Sequence, residues 1–202
     1  LGDTGHGWLP VAQQLSQALP YTKFVLPDAP IQPVTLNMGM RMNSWYDIYS
    51  LGLHADEDED GMRASSYKVI QLLQHVMDEG IPASRIVLGG FSQGCAMALF
   101  TALTCEYKLA GVVGLSGYLP MRNKFFHMVS DANRKTRIML GHGDSDSVVE
   151  YAFGRVSAQF LQKYKFDIEF RTYAGLDHGA SPEEIQDVLA FLQDVLPPLP
   201  NA

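Results

Sequence analysis

The sequence predicts an α/β class, with a mostly parallel central sheet and helices covering both faces. Three observations carry this. From residue 85 onward, short apolar runs alternate with longer stretches of helical periodicity, the pattern of a parallel sheet covered on both sides. The helical stretches are punctuated where helices should begin and end, with Pro182 at a first turn and Pro197-Pro198 as a stop. Length and balance suit one ordinary domain spanning residues 1–202, with 202 residues, 47% apolar and 18% charged. A chain of that size buries roughly 70% of the surface its unfolded form exposes, so it needs no staples.

The elements follow in order. Residues 8–19 have helical spacing, with Leu9, Ala12, Leu15 and Leu19 on one face. Residues 23–26 (Lys23-Phe24-Val25-Leu26) form a short apolar run closed by Pro27, which predicts a strand. Residues 27–60 read as an irregular connection rich in turn formers, and long connections are often functional. The acidic run 56–60 reads as a solvated loop whose charges favour the start of the next helix. That helix covers about 61–79, with Val69, Leu72, Leu73 and Val76 as its buried stripe. Strands are predicted at 85–88, 111–115, 137–140 and 166–173. Helices are predicted at 93–104, about 150–163 and about 182–195.

The net charge of −7 argues against a nucleic-acid partner, which would require a basic face. No run reaches the 18 or so apolar residues of a membrane span. Cys95 and Cys105 are the two cysteines. On one helix they stand about 15 Å apart, and a disulfide needs Cα atoms within about 7 Å. Free thiols point to a reducing, cytoplasmic compartment, with a nuclear location also open. No signal-peptide pattern is seen. The chain opens on Leu1 rather than Met, in a loop-like string, so further residues are expected upstream.

Gly90-Phe91-Ser92-Gln93-Gly94 sits between a predicted strand and a predicted helix. This is the strand–turn–helix context in which G-x-S-x-G lifts a serine hydroxyl clear of a sheet, as in the α/β-hydrolase fold. The turn also aims the Gln93 N–H at a reacting carbonyl oxygen, and the helix start favours a developing oxyanion. A serine needs a base and an orienting acid, in the chain order Ser, Asp or Glu, His. His178 follows the strand ending near Tyr173, and Asp144 and Asp146 follow the strand ending at Leu140. Strand C-terminal ends are where ligands bind in open parallel sheets. The residues themselves barely separate Asp144 from Asp146. His142, close to a strand end, suits packing better than proton transfer, and Asp177 reads as a solvated loop charge. His6, His54, His75 and His127 show no paired spacing, so no metal is expected.

These strings together resemble the acyl-protein thioesterase, lysophospholipase and type 2 carboxylesterase family. The resemblance rests on Leu1-Gly2-Asp3-Thr4-Gly5, the string 24–30 (FVLPDAP), Pro33-Val34-Thr35, Ser44-Trp45-Tyr46-Asp47, GFSQG at 90–94, HGDSD at 142–146, and the region of His178. It implies Ser92, Asp146 and His178 as a catalytic triad, choosing Asp146 over Asp144. It implies an oxyanion hole from the backbone N–H groups of Leu1 and Gln93. Segment 33–47 would help line an acyl site, and apolar residues of 33–53, among them Trp45, Leu51 and Leu53, would set substrate preference. It also implies sheet strands upstream of Leu1, without which half of the oxyanion hole lacks a fixed amide. Two departures stand out. Ser147 follows Asp146 where relatives carry Pro, and Cys95 replaces a Gly or Ala, where packing is expected of it.

The implied reaction is hydrolysis of an acyl thioester or carboxylic ester on an acylated protein or small acyl ester, with no cofactor. Carboxylesterase or lysophospholipase activity on the same triad is the alternative, and a non-catalytic binding protein of the same fold is the third reading. The resemblance also allows a weak homodimer.

Overall fold

The computed structural model describes residues 1–52 and 55–198. Leu53, one of the expected substrate-binding residues, and His54 lie outside the described residues. Four parallel strands form the central sheet in sequential order: β3 (Val87–Phe91), β4 (Gly111–Leu115), β5 (Arg137–Gly143) and β6 (Ile168–Tyr173). Among the described residues five α-helices surround it: α1 (Leu9–Ala18), α2 (Glu59–Asp78), α3 (Gln93–Thr104), α4 (Tyr151–Lys163) and α5 (Pro182–Val195).

The two-residue period of a strand sends alternate side chains to opposite faces, and the core divides along that line. Val112, Ile138 and Leu140 pack with Leu73 of α2, Leu99 and Leu103 of α3, and Ala158 and Leu161 of α4. Val113, Leu115 and Met139 pack on the other face with Leu15 of α1 and with Ile185, Val188, Phe191 and Leu192 of α5. Each fully buried leucine, such as Leu99, Leu140 or Leu161, contributes about 1.5–3 kcal/mol. Helix α3 is buried almost all round, which explains its near-continuous apolar sequence. A third cluster, built from Tyr46, Met62, Ala96, Met97, Phe100 and Met121, fastens the 44–48 segment to α2 and α3.

Four expectations are corrected. Residues 23–26 form no strand among the described residues. Their apolar character is spent on packing, since Phe24 lies against the α1/α5 side of the core. The connection 27–60 is not irregular throughout. It holds an antiparallel hairpin, β1 (Ile31–Val34) and β2 (Met40–Asn43), with Val34 opposite Met40. The hairpin reverses through a short 3₁₀ turn followed by Met38 and Gly39, both at positive φ (55° and 75°). Proline is tolerated in such a two-stranded edge, so Pro33 does not break it.

The acidic run is not merely solvated. Asp58 caps α2 by accepting Gly61 N–H at 3.0 Å, and it accepts Asp47 N–H at 2.8 Å. Glu57 accepts Met121 N–H at 2.9 Å, and Glu59 pairs with Arg63 and Lys124. The predicted stripe of α2 is also only partly right. Leu73 and Val76 are buried, whereas Val69 and Leu72 are half-buried at a surface groove. No helix among the described residues is long and apolar enough to cross a membrane.

Candidate active site

Parallel strands put all their C-terminal ends on one edge of the sheet, and Ser92, Asp146 and His178 follow the ends of β3, β5 and β6. Ser92 has φ 55° and ψ −119°. That backbone costs a non-glycine residue about 1–3 kcal/mol and is held only by its surroundings. Ser92 N–H donates to the Leu115 carbonyl at 2.8 Å, which ties the turn to β4. A Cβ on Gly90 would overlap the Gly94 carbonyl, so the close return of chain on chain requires glycine there.

The Ser92 hydroxyl lies 3.0 Å from His178 Nε2. His178 Nδ1 lies 2.8 Å from Asp146 Oδ2. Asp146 is buried, and its other oxygen, Oδ1, accepts the N–H groups of Val148 at 2.9 Å and Val149 at 2.8 Å. Asp144 does not take part in this relay. Its Oδ1 accepts Gly175 N–H at 2.7 Å and so ties the β5 loop to the β6 loop.

His142 sits behind Asp146 rather than beside Ser92. Its Nε2 is 2.8 Å from the Val149 carbonyl and 3.3 Å from Asp146 Oδ2. Burial lowers its pKa, outweighing the pull of the Val149 carbonyl and of Asp146. It is therefore neutral, Nε2 carries its proton, and its approach to Asp146 is a shared hydrogen bond rather than an ion pair. Its Nδ1 is buried without a partner. Helix α4 presses so closely that a Cβ on Gly154 would collide with that nitrogen.

Several supporting contacts escaped the reading of the sequence. Phe91 stacks its ring 4.8 Å from that of His178 and 5.3 Å from that of Trp8, walling the imidazole on one side. The Gln93 side chain is buried. Its Nε2 donates to the Tyr46 carbonyl at 2.8 Å and to Ser44 Oγ at 3.0 Å, and its Oε1 accepts Trp45 N–H at 2.8 Å. One residue thus offers its main-chain N–H at the start of α3 while its side chain grips the 44–46 segment. The only prior signal was a glutamine in the elbow beside an S-W-Y-D string, and nothing in either says that they meet.

The strings at 1–5, 28–30 and 43–44 converge. Gly2 N–H donates to the Asn43 carbonyl at 2.8 Å, Gly5 N–H to Asp28 at 2.7 Å, the Asn43 amide to the Ala29 carbonyl at 2.7 Å, and Ser44 N–H to the Pro30 carbonyl at 3.0 Å. Leu1 is therefore carried on a string fixed to β2.

Cys95 and Cys105 are free and buried. Burial pushes the Cys95 thiol up to about 12, so Cys95 is packing. The Trp45 ring lines a groove with Pro27, Pro30, Lys68, Val69 and Leu72, and this groove includes neither Ser92 nor His178. Leu51 is exposed. The Trp45 main chain is nonetheless held beside the elbow, through its N–H bond to the Gln93 side chain. Asp177, read as a solvated charge, in fact accepts hydrogen bonds from Ser147 and from His178 N–H.

Residues 1–196 match the phospholipase/carboxylesterase family of α/β-hydrolases. The chain is 45% identical over 207 residues to acyl-protein thioesterase 1 of Gibberella zeae, covering 98% of this chain and 88% of that protein. It is 44% identical over 212 residues to acyl-protein thioesterase 1 of Cryptococcus neoformans, with 97% and 89% covered. Among solved structures it superposes on Arabidopsis thaliana SOBER1 with a TM-score of 0.92 at 29% identity, covering 97% and 95%. With Zea mays acyl-protein thioesterase 2 the TM-score is 0.81 at 30% identity, covering 97% and 90%. A match of this extent, on a chain whose sheet ends bear a serine elbow, leads to one conclusion: this protein belongs to the phospholipase/carboxylesterase family.

Proposed function

We propose that residues 1–202 act as one catalytic domain, a serine hydrolase that cleaves acyl thioesters, as on acylated proteins, through a Ser92–His178–Asp146 triad. The single observation that carries the reading is the unbroken relay at 3.0 Å and 2.8 Å from the Ser92 hydroxyl through His178 to Asp146. His178 takes the hydroxyl proton on Nε2 as Oγ attacks the acyl carbonyl. Asp146 keeps the proton of Nδ1 in place and stabilises the imidazolium. The oxyanion is received by the Gln93 N–H, which the helix geometry leaves without an intrahelical acceptor, and by the N–H of Leu1. As the tetrahedral intermediate collapses, the imidazolium gives its proton to the departing thiolate or alkoxide. Water attacks the acyl-enzyme with His178 again as base, and Ser92 is released. The chemistry calls for no cofactor.

Support for an acyl substrate comes from the hairpin. Leu36, Met38 and Met40 are exposed on or beside it, and β2 is fixed to the Leu1–Gly2 string. An acyl chain laid along this edge covers apolar surface that is otherwise wet. The thioesterase names of the relatives favour a thioester over a simple ester.

Ser92→Ala should abolish hydrolysis of a p-nitrophenyl ester and labelling by a fluorophosphonate, and wild-type turnover in that variant would sink the assignment. Comparing kcat/KM for a palmitoyl thioester, a lysophospholipid and a short ester distinguishes thioesterase from lipase or esterase preference, with the thioester expected to lead.

A further inference from the structure

The loops that carry Asp146 and His178 are stitched at their roots. Asp144 N–H donates to the Tyr173 carbonyl at 3.1 Å and Ser145 N–H to the Leu176 carbonyl at 3.2 Å, which continues the β5–β6 pairing past the strand ends. Beyond those roots a different contact takes over. Ser147 donates twice to one oxygen of Asp177, from its N–H at 2.9 Å and from its hydroxyl at 2.8 Å. That same oxygen accepts the N–H of His178 at 2.8 Å. One carboxylate oxygen therefore joins the residue after the acid to the main chain of the base.

The Ser147 N–H, its hydroxyl and the His178 N–H, in that order, hold the Asp177 carboxyl below the usual range. Asp177 is thus an anion at neutral pH, and its bonds are charge-assisted. Proline at position 147 could make neither of the two bonds from that residue, since it has no N–H and no hydroxyl.

We propose that Ser147 and Asp177 are positioning residues, a clamp that holds the His178 loop against the Asp146 loop so that the imidazole stays within hydrogen-bonding reach of Ser92 through both proton transfers. The proposal rests on the triad reading above. The clamp touches neither substrate nor Ser92, so it acts on kcat through geometry. A displacement of about 1 Å at such a site costs up to about 10²-fold in rate.

The test is a set of five variants assayed with a p-nitrophenyl ester alongside fluorophosphonate labelling and thermal melting. Asp177→Ala should lower kcat about tenfold or more, with KM and melting temperature close to wild type. Ser147→Ala, which keeps the N–H bond, should lower kcat a few-fold, and Ser147→Thr should restore it. Asp177→Asn keeps an acceptor oxygen and should retain most activity. The double variant Ser147→Ala/Asp177→Ala should be no slower than Asp177→Ala, because the two act as one unit. Wild-type kcat in Asp177→Ala, or multiplicative losses in the double variant, would overturn the clamp. An Asp177→Asn variant as slow as Asp177→Ala would also overturn it, since the charge and not the positioning would then matter. Should the wild-type protein fail to label at Ser92, the triad reading itself fails. Labelling of the wild type with full turnover in the clamp variants removes the clamp alone.

Discussion

Ser92 and Cys95 lie three residues apart at the start of α3 and meet opposite environments. The strained turn carries Ser92 clear of the sheet to His178, whereas the helix carries Cys95 back into the core at 1% exposure. A nucleophilic thiol must be a thiolate and must be reachable. With its pKa pushed up to about 12 by burial, and with the Glu184 charge adding to the rise, Cys95 is neither. Iodoacetamide at about pH 8 should therefore leave Cys95 unmodified in the native protein and alkylate it after denaturation, as read by intact mass. A native Cys95 adduct formed at the rate of a free thiol would contradict this placement.

Helix α3 and the 44–46 segment are joined by the Tyr46 apolar cluster and by the hydrogen bonds of one side chain, Gln93. If Gln93 is replaced by Ala, Trp45 N–H loses its partner inside the protein, while the Tyr46 carbonyl keeps only the Ser44 hydroxyl. Each buried group left unsatisfied costs about 1–3 kcal/mol. Gln93→Ala should thus destabilise the protein by about 1–3 kcal/mol in urea unfolding and lower kcat/KM, because the segment it loosens carries β2 and with it the Leu1 string. Unchanged stability would mean that the segment is held instead by Tyr46 and its apolar cluster. The acidic run works at the same level. Asp58 and Glu57 bind α2 and the 44–49 segment to the chain at Met121, so the charges serve as joints between elements.

Two buried titratable groups shape the pH response of the whole molecule. Glu184 is fully buried, and neither oxygen makes a hydrogen bond of normal geometry. Burial raises its pKa to about 7, against a weak opposing pull from the Ser181 N–H and with some help from the Asp187 charge. The folded protein therefore holds a proton that the unfolded chain releases from about pH 4.5 upward, so this group makes stability fall as pH rises from there to about 7. His142 has a lowered pKa, so below its ordinary value of about 6.5 the unfolded chain gains a proton that the folded protein resists. Its contribution is intact above that pH and is lost on acidification. Glu184→Gln should flatten the melting-temperature decline between about pH 5 and 7.5, and His142→Gln should flatten the decline on the acid side of about 6.5. Curves parallel to wild type in both variants would mean that neither group titrates differently on folding.

Local patterning by itself determined the architecture, because hydrophobic period and helix punctuation are properties of neighbouring residues. It set β4 at 111–115, α3 at 93–104 and α5 at 182–195, and it marked the Ser92 elbow, where glycine spacing alone encodes the turn. It could not see features that exist only between distant segments. Residues 23–26 have the composition of a strand, but a strand needs a partner to bond, and none is present among the described residues. The β1–β2 hairpin was hidden by Pro33 and by inverted polarity in β1, where polar Gln32 faces inward with Val34 while apolar Ile31 is exposed. Asp144 and Asp146 are near-equivalent in sequence, and only the approach of the β6 loop sends one to Gly175 and the other to His178. The same approach turns Asp177 and Ser147 from loop polar residues into a joint. Side-chain chemistry is written residue by residue, but which carboxylate meets which imidazole depends on loops separated by about thirty residues of chain, and only packing of the sheet brings those together.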